Sequence, residues 1–307
     1  MNTAEAGVPT WRRHLWLCYT LAAMMGFGIW GLVSAAASRK LSPLQVQVLS
    51  TAGFLPVVAA LGFFREPSAP SGRRGRGVTW AFVTGLGTAA ANVALFAALG
   101  GGADASVVFP LTGMFPLVTL LLARVFLRER LSRPQAAGVV IALLAVLLFS
   151  LVEGPAADGD RNRRLAGWVW GGLSMLALLG WGVTGVTQKL ATRDISSALS
   201  MTLFVTGFVL VAAAIAVLHP VDWNVGAELW GLCLLIGFLF ALSSFFLFAA
   251  YPAGGKVSVV STLGALYPAV TVAGAVPLFG ERISAVKALA ILLALVAGVA
   301  LSRGSQR

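Results

Sequence analysis

The sequence predicts an all-α polytopic membrane protein, ten transmembrane helices in two inverted five-helix repeats with both termini cytoplasmic. Three observations carry this reading. With 58% hydrophobic residues, 11% charged residues and a mean hydropathy of +0.89, the 307-residue chain holds more apolar surface than a soluble fold of that length buries. The apolar stretches are continuous runs of the roughly 20 residues a helix needs to cross a bilayer, not the alternating segments of about ten that build a barrel. The chain also repeats itself. Ser106-Val107-Val108, Leu111, Pro116, Val118-Thr119, Glu129-Arg130 and Ser132 recur 152 positions later as Ser258-Val259-Val260, Leu263, Pro268, Val270-Thr271, Glu281-Arg282 and Ser284. Gly26, Gly28, Gly31 and Ser42 recur 154 positions later as Gly180, Gly182, Gly185 and Ser196, so one small deletion separates the two registers. An internal repeat with an odd number of spans comes out upside down in the membrane, the arrangement of secondary transporters.

The spans follow in order. Span 1 covers 15–37; Arg12 and Arg13 precede it as in a secretory signal, but its apolar run is too long for one and nine spans follow. Span 2 covers 43–64, span 3 covers 77–98, span 4 covers 105–126 and span 5 covers 135–151. The first repeat is thus 15–151, and a Gly-Pro, Asp-Gly and arginine-bearing segment, 152–166, reads as the hinge. Spans 6 to 10 cover 167–190, 197–218, 227–250, 257–279 and 284–301, giving a second repeat over 167–302. Small residues at helical spacing in Gly26-Phe27-Gly28-Ile29-Trp30-Gly31 and Gly180-Trp181-Gly182-Val183-Thr184-Gly185 allow close helix approach. Trp11, Trp16, Trp80, Trp168, Trp170, Trp223 and Trp230 fall near span ends, as a headgroup-level aromatic belt requires.

The net charge of +11 reads as a topology signal rather than a nucleic-acid surface. With the N-terminus inside, the inner segments hold Arg12, Arg13, Arg65, Arg73, Arg74, Arg76, Arg124, Arg128, Arg130, Arg133, Lys189, Arg193, Lys256, Arg303 and Arg307. The outer loops hold only Arg39, Lys40, Arg161, Arg163, Arg164, Arg282 and Lys287. Cys18 and Cys233 both fall within spans and suggest neither a disulfide nor a metal site.

All eleven acidic residues lie in loops, tails or span ends, so the mid-membrane carboxylate of a proton-coupled cation exporter is missing. Facilitated diffusion, exchange or a coupling residue of another kind remains. Lys189 and Arg124 enter spans near the inner end, where long cationic chains normally snorkel to the interface. Lys189 also follows Thr184, Thr187 and Gln188 within about one and a half turns, a set suited to a carboxylate. Trp30 and Trp181 lie nearer mid-membrane, either as space-filling core or as rings that hold an apolar body or a cation. Asn92 in span 3, with Ser243 and Ser244 in span 8, offers further polar contacts. Pro110, Pro116 and Pro268 interrupt spans 4 and 9 beside Thr112, Thr119, Thr262 and Thr271, whose hydroxyls can satisfy carbonyls freed at a kink. The sharper reading makes Pro116 and Pro268 paired gate hinges with Phe115 and Tyr267 as matching aromatic gates. His14 and His219 stand at span ends, and no hydrolytic or metal-binding cluster can be assembled from the spans.

The doubled block of a proline-centred span, a Glu-Arg turn and a last hydrophobic span resembles the drug/metabolite transporter superfamily, EamA type. It is carried by Pro116, Glu129-Arg130-Leu131-Ser132, Pro268 and Gly280-Glu281-Arg282-Ile283-Ser284, with the Gly-Trp region and Gln188-Lys189. The likeness covers about 15–302. It implies a central cavity lined by spans 1, 3, 4, 6, 8 and 9 and the export of metabolites or drugs. The chain departs from that pattern in lacking a basic residue early in span 2, where Gln45, Gln47, Ser50 and Thr51 stand.

The expectation is an inner-membrane exporter of small neutral or zwitterionic, amino-acid-like metabolites, working by rocking of the inverted halves. Gln188 and Lys189 would orient the polar end, Trp30, Trp181 and Tyr267 would contact the body, and Asn92 and Thr184 would add polar contacts. Amphipathic cationic drugs are the alternative solute, and a scaffold or lipid-modifying enzyme the non-transport alternative. The expected partners are a small-molecule solute and the lipid bilayer, with a homodimer left open and nucleic acid excluded. No cofactor, metal or catalytic residue is expected.

Overall fold

The structure, a computed structural model, describes residues 10–61, 73–127, 132–152, 161–192, 194–250, 253, 264 and 266–303. Every regular element among them is helical. Helix α1 is Thr10–Ser38. Span 2 is α2, Pro43–Thr51, a 3-10 turn at Ala52–Phe54, and α3, Leu55–Leu61. Then come α4, Arg74–Gly100, and span 4 as α5, Ala105–Thr112, and α6, Phe115–Leu127. Helices α7, Arg133–Val152, α8, Arg161–Thr192, α9, Ser197–Leu218, and α10, Gly226–Ala250, follow. The last described are α11, Tyr267–Phe279, and α12, Ala285–Arg303. Six segments among the described residues have the length and apolarity to cross a membrane: Leu15–Ser38, Pro43–Leu61, Arg74–Gly100, Trp168–Gln188, Ser197–Leu218 and Gly226–Leu247. The Glu129-Arg130 turn, residues 153–160 of the hinge, and the start of span 9 with Lys256, Ser258 and Thr262 lie outside the described residues.

The repeated serines are helix caps. Ser42 Oγ accepts the Gln45 N–H at the start of α2, and Ser196 Oγ accepts the Leu199 N–H at the start of α9. Ser284 does the same for Lys287 in α12. Each satisfies a donor that the first turn of a helix leaves free.

The repeated glycines are helix crossings, and they too come in pairs. A β-carbon on Gly28 of α1 would collide with Val270 of α11, and one on Gly182 of α8 with Val118 of α6. At the next turn Gly31 meets Thr271 and Gly185 meets Thr119. The Thr271 hydroxyl donates to Gly28 O at 3.0 Å, and the Thr119 hydroxyl donates to Gly182 O at 2.8 Å. An interhelical bond of this kind is worth about 0.6–1.7 kcal/mol in a membrane. A second pair crosses even closer. Gly237 of α10 rests on the carbonyl of Ser50 and on Gly53 in span 2, and Gly85 of α4 rests on the carbonyl of Phe204 and on Gly207 in α9. Ser50 and Phe204, Gly53 and Gly207, and Gly85 and Gly237 occupy equivalent repeat positions.

Contacts fix the helix directions. Numbering rises together along α1 and α11, where Gly28 meets Val270 and Leu32 meets Gly274, so the two are parallel. Trp30 packs on Phe109, whereas Arg39, at the end of α1, shares Glu281 with Ala105 and Ser106, at the start of α5. Helix α5, the first half of span 4, is therefore antiparallel to α1 and hence to α11, the second half of span 9. The repeat is inverted. The two copies are also interwoven, since α1 and span 2 pack on α10 and α11 while α4 and α6 pack on α8 and α9; α7 and α12 pair at the periphery.

Leu143, Leu144, Leu176, Leu210, Leu289 and Leu292 point outward, as side chains facing lipid do. Cys18 is exposed on such a face rather than packed, while Cys233 is buried.

Because the Gly237 contact is with backbone, Gly237→Ala should destabilise the detergent-solubilised protein by about 1–3 kcal/mol, the usual cost of overpacking. Gly171→Ala, where a β-carbon meets nothing, should stay within about 0.5 kcal/mol of the parent. Thermal unfolding followed by circular dichroism checks both.

Candidate solute-binding site

Where α1, α4, α8 and α10 come together, aromatic rings from both copies of the repeat meet. Trp30 is 1% exposed; its ring lies 5.9 Å from Trp181, 5.1 Å from Phe240 of α10 and 5.7 Å from Phe109 of α5, between centroids. Phe27 joins Trp30 to Tyr267 at 6.5 and 6.1 Å, and Phe115 lies edge-on to Trp181 at 6.2 Å. Gly26 and Gly180 let this cluster close, because their helices sit directly on Ser243 and Ala91.

The two indoles are treated differently. Trp181 Nε1 donates to Asn92 Oδ1 at 3.0 Å, a buried bond between copies of the repeat in sequence, 89 residues apart. Trp30 Nε1 is buried and has no partner among the described residues. A donor held this way in apolar surroundings costs free energy until something accepts from it.

Beside the rings runs a hydroxyl seam. Thr184 donates to Trp181 O at 3.1 Å, Thr187 to Thr184 O at 3.1 Å, and the Thr187 and Thr84 hydroxyls lie 2.6 Å apart. Thr88 donates to Thr84 O at 2.7 Å. The repeat register shows how unequal the two walls are. Trp30 is the counterpart of Thr184, Val33 of Thr187, Ile236 of Thr84, and Phe240 of Thr88. Equivalent positions thus carry aromatic and aliphatic groups on the α1–α10 side and hydroxyls on the α8–α4 side.

Of the residues singled out from sequence, the structure brings Trp30, Asn92, Trp181, Thr184, Tyr267 and Phe115 into one cluster. Gln188 is half-buried about two turns further along α8, roughly 10 Å from Trp181. The side chain of Lys189 lies outside the described residues, as does that of Arg124. Pro116 and Pro268 do not kink continuous helices. Each stands second in a helix, where its missing N–H is no loss; span 4 breaks at Gly113-Met114, ahead of Pro116, whose ring would meet the Thr112 carbonyl in a continuous helix, and Gly113 leaves room for Pro268. Thr119 and Thr271 accordingly bond across to the neighbouring helix. Sequence reasoning missed Phe27, Phe109, Phe240, Thr84 and Thr88; extending the repeat register through spans 3 and 8 would have aligned Thr88 with Phe240.

A family model described as the EamA-like transporter family matches residues 14–151 and again 168–303. The chain belongs to the EamA-like transporter family. It is therefore a multi-pass membrane protein of the drug/metabolite transporter superfamily, whose members are transporters. An uncharacterized protein of Methanocaldococcus jannaschii is 32% identical over 74 residues, 24% of this chain, which spans about half (53%) of that relative. A solved crystal structure, described only as that of a protein, has a TM-score of 0.60 at 19% identity, covering 95% of this chain and 99% of its own, a likeness of fold.

In this EamA-like transporter, Asn92→Leu should leave the Trp181 N–H stranded and cost about 1–2 kcal/mol. Trp181→Phe in the same chain should recover most of that loss. A double-mutant cycle on thermal unfolding reads the coupling.

Proposed function

We propose that this protein exports small neutral or zwitterionic metabolites, amino-acid-like in having an apolar body and a polar end, across the inner membrane by alternating access. The observation that carries the reading is the two-faced cluster at the junction of the repeats. Its aromatic wall of Trp30, Phe240, Phe27 and Tyr267 suits an apolar body by area burial. Its opposite wall of Thr84, Thr88, Thr184, Thr187 and Asn92 suits uncharged hydrogen bonding, and the unpartnered Trp30 N–H suits an acceptor such as a carboxylate oxygen. Gln188 and Lys189, further along α8, belong to the inner part of the path in the topology that the positive charges favour, ten spans with both termini cytoplasmic. The bodies that rock are the interwoven ones: α1, α2, α3, α10 and α11 against α4, α6, α8 and α9. Phe115 and Tyr267, equivalent in the repeat and touching Trp181 and Phe27 in turn, are the aromatic gates, and the helix starts at Pro116 and Pro268 carry them.

The same rings favour one other class of solute, an amphipathic organic cation held on ring faces. Flux of labelled neutral amino acids into liposomes carrying the purified protein separates the two. Saturable flux is expected, with Trp30→Ala and Thr184→Val each raising KM about tenfold, the effect of about 1.4 kcal/mol of lost binding. Inhibition by a quaternary ammonium compound with no amino-acid flux would transfer the assignment to cationic drugs.

A further inference from the structure

Among the described residues, the ion pairs that join the helix ends gather at one end of the bundle, the outer end in the favoured topology. Gly280, at φ 65° in the left-handed region, ends α11 and turns the chain so that Glu281 points back into the protein. The Glu281 side chain is only 2% exposed. Its two oxygens accept the Ala105 and Ser106 N–H groups, each at 3.0 Å, at the free N-terminal end of α5. Arg39 donates to it at 3.4 Å while lying 4.2 Å from the centroid of the Phe279 ring. Next to it Lys287, whose side chain is 4% exposed, donates to Asp104 Oδ2 at 2.6 Å. Lys40 is engaged elsewhere, by Glu228.

A buried carboxylate is costly unless its charge is matched, and here two of the matching groups stand on another helix. Glu281 and Arg39 are carried at the ends of α11 and α1, whereas the two N–H donors open α5. If α5 moves away from α1 and α11 at this end, the cap breaks and the Arg39 pair stays. Beneath the cap lie small polar residues. Antiparallel packing of α1 on α5, with Trp30 against Phe109, sets Ser34 level with Ser106 one turn closer to that end, and both hydroxyls are buried without a partner, as is that of Ser38. Among the described residues these three hydroxyls have no acceptor or donor, so a polar solute or water reaching this seam would find them free.

We propose that Glu281 is a proton-released latch on this end of the transport path. As a carboxylate it caps α5 and holds it against α1 and α11. When it takes a proton from water at that face, the neutral acid keeps at most a weak acceptor contact with the α5 amides and loses its attraction for Arg39, and the end opens. The charged groups around it are Arg39 from α1, Asp104 preceding α5, which is paired with Lys287 from α12, and Arg282 beside it in its own turn. The inference builds on the alternating-access reading and supplies it with a proton-binding group that the middle of the membrane lacks.

Thiol labelling tests the latch with no solute present. In a Cys18→Ser, Cys233→Ser background, Ser34→Cys places a reporter under the cap, and its reaction with a charged methanethiosulfonate is timed in detergent at one neutral pH. Glu281→Gln, which mimics the protonated acid, should label roughly tenfold faster. Ala105→Pro should also label faster. It deletes one donor to an unchanged carboxylate at the first position of a helix, where proline is tolerated, and it keeps the assay decisive if Glu281→Gln does not fold. Acidification should speed labelling of the parent, relative to a free thiol, and leave Glu281→Gln unmoved. Rates for both variants within twofold of the parent, or an acid response that survives Glu281→Gln, would overturn the latch. Absence of solute flux in liposomes would count against the transport reading and not against accelerated labelling.

Discussion

The structure depends on four glycines at which backbones of different helices touch. Gly237 lies on Gly53 and the Ser50 carbonyl, and Gly85 lies on Gly207 and the Phe204 carbonyl. In lipid no hydrophobic force drives helices together, so close approach with its dispersion contacts must hold the bundle. These crossings join span 2 to span 8 and span 3 to span 7, and therefore tie each copy of the repeat to the other. The Gly28–Val270 and Gly182–Val118 contacts, each sealed by a threonine hydroxyl on a glycine carbonyl, do the same one layer inward. Neither copy is then a body of its own, and each packed unit is a set of helices drawn from both.

That interweaving explains where the site falls. Trp30 and Trp181 come from equivalent helices, and their rings meet where the two bodies face each other. The symmetry of the backbone is near enough that the same Gly and Thr contacts form twice, yet the side chains facing the junction are not symmetric. At four equivalent positions one body carries Trp30, Val33, Ile236 and Phe240 where the other carries Thr184, Thr187, Thr84 and Thr88. A symmetric scaffold gives two equivalent states of access, while an asymmetric lining gives a solute one preferred orientation. The first serves the motion and the second serves recognition.

Much of the fold was legible because two physical signals are strong in a membrane chain. Hydropathy gives the spans, and α9 and α10 fall where it puts them to within one residue. The repeat marked Ser42 and Ser196, Gly28 and Gly182, Thr119 and Thr271 before any contact was known, and each pair proved to make the same cap, crossing or bond. The repeat also concealed things. Gly53 and Gly207 sit inside otherwise apolar stretches and look like tolerated small residues until the partner backbone is seen. Gly113, at the break of span 4, leaves room for Pro268, which is 155 residues away in sequence. In the site, the bond between Trp181 and Asn92 pairs residues on different helices, and nothing in local spacing announces it. Pro110 lies inside α5 while Pro116 and Pro268 stand second in their helices, a distinction that hydropathy does not mark.

Absence of a mid-membrane carboxylate gains a physical meaning beside Glu281. An ionised carboxylate at the bilayer centre costs about 2.5–3.5 kcal/mol even by the mildest scale. At a helix end the same charge meets two free N–H groups, the positive end of α5 and a guanidinium, all supplied by backbone and side chains already present. Placed at the rim, the ionisable group stands apart from the rings, hydroxyls and amide of the candidate solute site, so the charged side chains and the uncharged lining occupy different levels of the bundle.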